Sequence, residues 1–186
     1  MDVLGEQGLA ARTGYTGERG FEVYAPTTTS RAAFAQLIEL GGNPAGLGAR
    51  DTLRLEMGYA LYGHELTREV NPLEAGLGWA IAWDTDFRGR DAVAEVRSRG
   101  PSRRLFGIRC TGRGVPRAGC EVELEDGSPL GQVTSGNFSP TLGTGIALAL
   151  GPAPTRPKPG TNVVVVTRGR RIEGAIVKPP FVKKSK

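Results

Sequence analysis

Residues with chemical potential concentrate in a Gly-rich stretch near the amino terminus and in an arginine-bearing stretch that follows it. In Arg12-Thr13-Gly14-Tyr15-Thr16-Gly17-Glu18-Arg19-Gly20-Phe21-Glu22 the glycines let backbone run close to another surface or to a ligand. Such loops can cradle phosphate, but the Gly-Lys-Ser/Thr and following helix of a nucleotide loop are absent. Glu22 lies between the apolar residues Phe21 and Val23. Its carboxylate is either the solvent-facing position of a strand or an acceptor for two N–H donors of a flat heterocycle. Tyr15 offers a ring face or a hydroxyl. Arg50 stands in Gly48-Ala49-Arg50-Asp51-Thr52-Leu53-Arg54-Leu55-Glu56, where a helix would put Arg50 and Arg54 on one face. Local ion pairing with Asp51 or near Glu56 is one use for them, and clamping a carboxylated ligand is the other.

Other candidates carry less. His64 is the only histidine, and without a Cys–His or Ser–His–Asp setting it is expected to be a hydrogen-bonded structural residue. Trp79 and Trp83, four apart, are expected in the core. Cys110 and Cys120 have no second pair with which to form a metal site.

The elements that position these groups follow from pattern. Phe21 to Ala25 reads as a strand stopped by Pro26. Thr29 or Ser30 caps a helix to about Leu40, with Ala33, Phe34, Leu37 and Ile38 on one face and Gly41-Gly42 as terminator. Ala49 to Met57 alternates at Leu53, Leu55 and Met57 but reads better as a short helix, with Asp51 in its first turn and Gly58 after its last. Trp79 to Trp83 reads as a strand, and Asp91 to Arg99 as a helix closed by Gly100-Pro101. Beyond Pro101, residues 104–110, 120–124, 130–135, 146–150, 162–167 and 171–177 are strand-like, with hairpin turns at Asp126-Gly127 and Arg168-Gly169. The six short strands suggest a small all-β barrel or sandwich, and the expected fold is α+β: a partial α+β portion over residues 1–98, then a small antiparallel β-barrel over 103–182. A helix-rich segment beyond residue 103 would contradict it.

Composition narrows the function classes. With 39% hydrophobic and 23% charged residues the chain is an ordinary globular one. The formal charge of +5 is spread out, and no aromatic RNA-binding strand or zinc spacing accompanies it, so nucleic acid is not expected. A solvated basic surface or an acidic protein partner remains. Met1-Asp2-Val3 begins acidic with no apolar run behind it, and no stretch approaches a membrane span. A cytoplasmic protein with reduced thiols is expected. The first dense motif lies so close to Met1 that a further domain upstream is expected as well.

Taken in order, RTGYTGERGFE (12–22), GARDTLRLE (48–56), LYGHEL (61–66), NPLEAGLGW (71–79), VTSGNFSPTLG (133–143) and the closing Pro180-Phe181-Val182 resemble the T-protein family of the glycine cleavage system. The resemblance runs from about residue 9 to residue 182. It implies a tetrahydrofolate-dependent aminomethyltransferase of three domains around a central folate-binding hole. Lipoylated H protein would deliver an aminomethyl group, whose methylene passes to tetrahydrofolate with release of ammonia, without metal or pyridoxal phosphate. It implies that Glu22 binds folate, that Arg50 stands beside that site and that Tyr15 lines it. The family's catalytic aspartate falls upstream of the matched part, and none of Asp51, Asp84, Asp86, Asp91 or Asp126 stands in its motif. Family members are roughly twice as long, so this chain alone is expected to be nearly inactive. The basic tail after Val182 also departs from relatives that place an aromatic residue there. Folate-binding domains of sarcosine- or dimethylglycine-oxidising enzymes share the fold, and a non-catalytic folate-binding module is another alternative. RNA-modifying relatives are disfavoured, because both cysteines lie in the expected barrel.

Overall fold

The computed structural model describes residues 1–154 and 157–183. The chain divides into two compact units, residues 1–54 and 55–183.

The amino-terminal unit opens with a hairpin too short to read from sequence: β1 (Asp2–Val3) pairs antiparallel with β2 (Glu6–Gln7). Leu4 and Gly5 turn at φ 51° and 85°, the left-handed pair that a two-residue hairpin demands. β3 (Leu9–Ala11) then pairs with β4 (Glu22–Tyr24) in a separate two-stranded sheet, Ala11 opposite Glu22 and Leu9 opposite Tyr24. β4 fulfils the strand expected around Glu22.

Helix α1 spans Thr27–Glu39. It starts two residues before the expected cap, because Pro26 at φ −50° presets the entry, and no side chain caps it. Thr29 is buried inside the first turn, and the Ser30 hydroxyl donates instead to the Ala25 carbonyl at 3.1 Å. Its end is as expected: Gly41 adopts φ 92°, and Gly42 N–H bonds back to Leu37 O at 2.8 Å. Helix α2 spans Leu47–Glu56. Asp51 therefore lies in its second turn rather than its first, and it serves Arg54 rather than the helix dipole.

In the second unit the expected strand at Trp79–Trp83 is absent. Gly78–Ala80 is a 3₁₀ turn, and Trp79 is 83% exposed rather than in the core. Apolar residues there imitated a strand, while Pro72, Gly76 and Gly78 impose turns; Gly76 sits at φ 76°. Trp83 is half-buried, with the Arg97 guanidinium 4.4 Å over its ring. Helix α3 (Arg90–Arg99) lies between Gly89 and Gly100, both at positive φ.

The expected barrel follows. Strands β5 (Arg103–Cys110), β6 (Glu121–Leu124), β7 (Pro129–Ser139), β8 (Thr144–Pro152), β9 (Asn162–Thr167) and β10 (Arg170–Val177) close in the order β10-β5-β8-β7-β6-β9, with every pair antiparallel. Two turns are those expected. At Asp126-Gly127 the Ser128 hydroxyl and N–H bond the Asp126 carboxylate at 2.6 and 2.9 Å and hold it below the usual carboxylate range. Arg168-Gly169 carries φ 43° and 77° between β9 and β10. Ile108, Val122, Leu130, Val133, Val165 and Ile172 fill the interior.

Both faces of β8 are buried. Ala147 and Ala149 turn into the barrel, while Ile146 and Leu148 pack outside it against Leu55, Leu105, Leu142 and Phe181. The closing segment is anchored nearby, since Phe181 and Val182 N–H both reach the Glu56 carbonyl, at 2.8 and 3.2 Å. The buried Glu56 carboxylate accepts from Ser139 and Thr141 hydroxyls at 2.5 and 3.1 Å.

β7 passes very close to the loop before β6. A methyl group at Gly136 would stand 2.5 Å from the Pro116 carbonyl oxygen and 2.7 Å from its carbon. Backbone cannot yield as a side chain does, so Gly136→Ala is expected to destabilise the barrel by about 2 kcal/mol, measured as a lowered urea midpoint.

Glu74 is another buried carboxylate with several partners. Ser102 Oγ (2.9 Å), Arg103 Nε and Nη2 (3.2 and 3.0 Å) and the Asn71 N–H (3.2 Å) all donate to it. Burial alone would raise its pKa, but the hydrogen bonds from Arg103, Ser102 and the Asn71 amide outweigh burial and hold it below 4.5. A depressed carboxylate contributes stability that is present above the unfolded-state value near 4.5 and is lost as pH falls through the folded value. Glu74→Gln should therefore remove part of the acid dependence of unfolding below about pH 4.5. At neutral pH it should cost about 2 kcal/mol, less than a fully buried pair because Arg103 stays 40% exposed. Denaturant titrations of both forms at pH 3, 4 and 7 check this.

Candidate ligand-binding cleft

β4 alternates, so Glu22 and Tyr24 face one side of the two-stranded sheet and Val23 the other. On the Glu22 side the Gly-rich loop 12–21 and the first turns of α2 enclose an open cleft of about 300 Å³. Thr13, Tyr15, Phe21, Glu22, Arg50 and Leu53 are among its walls. Tyr15, Glu22 and Arg50, singled out from sequence in separate stretches, thus line one cavity.

Their geometry is specific. The Arg50 guanidinium carbon lies 4.7 Å from the Tyr15 ring centroid, in cation–π contact. The Thr13 hydroxyl donates a short hydrogen bond to Glu22 Oε2. Glu22 is half-buried, whereas Arg50 is exposed. The cleft therefore presents a steered carboxylate, an aromatic wall and a cation. A carboxylate of this kind accepts paired N–H donors from a planar ring, and an exposed guanidinium suits a carboxylate further along the same ligand. The volume lies at the low end for small-molecule sites, which fits one side of a site better than an enclosing pocket.

Arg54 does not join the clamp. Its side chain is 2% exposed, with Nη2 2.7 Å and Nε 2.8 Å from Asp51 Oδ1. Of the two uses open to these arginines, Arg54 has the local ion pair, and Arg50 alone of the two reaches the cleft. Thr13 was missed: nothing in its spacing from Glu22 signals the contact, which depends on how β3 and β4 pair across the loop. Phe21 was seen only as a strand residue, yet it stands 70% exposed beside Glu22.

His64 lies elsewhere, in the second unit, with Nδ1 2.8 Å from the Thr134 carbonyl oxygen. It is the hydrogen-bonded histidine expected. Cys110 is buried, and burial pushes its thiol up to about 11, so it behaves as a small apolar residue. Among the described residues no helix is long and apolar enough to cross a membrane.

Comparison with known proteins agrees along nearly the whole chain. Residues 1–85 match the GCVT N-terminal domain, and residues 103–183 match the glycine cleavage T-protein C-terminal barrel domain. The aminomethyltransferase of Mycobacterium leprae is 45% identical across 98% of this chain and 56% of its own length. That of Mycobacterium avium is 51% identical across 92% and 48%, and that of Herpetosiphon aurantiacus 46% identical across 97% and 50%. The crystal structure of glycine cleavage system aminomethyltransferase T from Bartonella henselae superposes with a TM-score of 0.86 at 35% identity, covering 94% of this chain and 50% of that one. The chain thus spans about half the length of the curated relatives it matches. With two family models that together cover nearly all of it, and with relatives at this identity, the chain belongs to the glycine cleavage T-protein family.

Proposed function

We propose that this chain forms part of a tetrahydrofolate-dependent aminomethyltransferase of glycine catabolism, working in the cytoplasm, and that its cleft holds the pterin end of the folate. The observation that supports this is the meeting of Glu22, Tyr15 and Arg50 in one cavity. Glu22, steered by Thr13, accepts the pterin's paired N–H donors, Tyr15 covers a ring face, and Arg50 meets the anionic portion. Tetrahydrofolate would supply the nitrogens that accept the methylene from the aminomethyl group on lipoylated H protein, with ammonia released and the lipoyl sulfur left as a thiol. The chain's own residues bind and orient; none of its aspartates is assigned a catalytic role. We further propose that residues 1–98 act as an incomplete folate-binding domain and 103–182 as an appended barrel.

The test is methylene transfer from aminomethyl-loaded H protein to tetrahydrofolate. The 186 residues alone are expected to give background turnover, and addition of the relatives' unmatched half is expected to raise it. Failure of any combination to turn over while folate still binds would favour a non-catalytic folate-binding module instead.

A further inference from the structure

The turn between β9 and β10 departs from the chemistry such turns prefer. Thr167 pairs directly with Arg170, so Arg168 and Gly169 alone make the loop, at φ 43° and 77°. A two-residue loop with positive φ at both positions favours Asn-Gly, Asp-Gly or Gly-Gly. A long side chain such as arginine is strained at the first of them. Strain of this kind persists where a side chain has a task. Local pairing does not supply one, because the Arg168 side chain has no hydrogen bond or ion pair among the described residues.

The turn instead sets Arg168 at the edge of a cleft of about 460 Å³, walled also by Arg117, Ala118, Cys120, Val166 and Thr167. All of these residues belong to the second unit, and the volume falls within the range of small-molecule sites. Both charged walls are cationic, and no carboxylate lines the space. Arg117 Nη1 donates to Asn137 Oδ1 at 3.3 Å, an oxygen that also accepts from the Phe138 N–H at 2.9 Å. That neutral acceptor orients the guanidinium without offsetting its charge. We propose that this cleft binds a phosphate monoester. Arg117 and Arg168 donate to its phosphoryl oxygens, for which the planar guanidinium fork is suited. The Thr167 hydroxyl adds a donor, and Ala118 and Val166 take the organic part. A dianion matches two cationic walls. A nucleic-acid backbone is the poorer ligand, because no aromatic residue lines the cleft for a base to stack on. The site shares no residue with the Glu22 cleft and stands independently of the folate reading.

Cys120 reports occupancy, since it lines the cleft and is half-buried while Cys110 is buried. Its alkylation by iodoacetamide is followed by mass spectrometry of the full chain, at fixed ionic strength so that screening stays constant. Phenyl phosphate is expected to slow the reaction, with half-protection at about 1 mM. Inorganic phosphate, which lacks the organic part, and benzoate, which lacks the second charge, are expected to need higher concentrations. Arg117→Gln and Arg168→Asn should each raise the half-protecting concentration by about tenfold. Arg168→Asn should also keep or raise the urea midpoint, because asparagine accepts the left-handed turn position. Its loss of binding is then not a loss of fold. Four results would overturn the proposal: no protection by phenyl phosphate, protection unchanged in both variants, benzoate or inorganic phosphate acting at the same concentration, or a single-stranded oligonucleotide acting at a lower one.

Discussion

Glu22→Ala is expected to weaken tetrahydrofolate binding by about ten- to a hundredfold in the chain supplemented with the relatives' unmatched half. Charge-assisted hydrogen bonds to a carboxylate are worth about 1.5–3 kcal/mol, and tenfold in affinity is about 1.4 kcal/mol. Thr13 already engages one oxygen of Glu22, which fixes the carboxylate's orientation and leaves the other oxygen and remaining lone pairs for a ligand. Glu22→Gln should fall between the two, since it keeps one acceptor and introduces a donor where the ligand also donates. Thr13→Val should weaken binding less than Glu22→Ala, because it loosens the carboxylate without removing it. Isothermal calorimetry on the four proteins gives the order directly. Equal affinities for wild type and Glu22→Ala would place the pterin elsewhere.

Leu148→Ala is expected to lower unfolding stability by about 3 kcal/mol, within the range for emptying a fully buried leucine site. Leu148 is inaccessible and sits on the outer face of β8 against Leu55 and Ile146. Leu55→Ala, on the opposite side of that contact, should cost a similar amount. Because the two share one cavity, the double variant should cost clearly less than the sum. Additive losses would show that Leu55 and Leu148 do not pack together. Urea unfolding followed by tryptophan fluorescence measures all three, with Trp79 and Trp83 as reporters in the same unit.

How much of this was legible in the sequence differs between the two units for a physical reason. Barrel strands announce themselves by alternation: Val163 and Val165 point in while their neighbours do not, and Gly127 and Gly169 mark the turns by needing positive φ. β7 and β8 run longer than expected, because Gly136 and Gly145 look like breaks in a strand when they are points of close backbone approach. The Trp79 region failed in the opposite sense. Its apolar composition suggested buried strand, but local turn geometry governs there and Trp79 faces outward. β1 and β2 are two residues each, too short for any period to show. At the cleft, residue chemistry was legible and geometry was not. Glu22, Tyr15 and Arg50 stood out by type, whereas the Thr13 contact and the diversion of Arg54 to Asp51 depend on side-chain placement that spacing leaves open.

The central claim is that the Glu22–Tyr15–Arg50 cleft is one side of a folate site that another part of the family's polypeptide completes. Calorimetric titration of tetrahydrofolate into these 186 residues, alone and then with the relatives' unmatched half, tests it most directly. One set of charge-assisted hydrogen bonds falls well short of the ~8 kcal/mol that micromolar affinity requires. The chain alone should therefore bind more weakly than about 100 µM, and the supplemented chain at about 1 µM. Micromolar binding by the 186 residues alone, unchanged when the other half is added, would contradict the account.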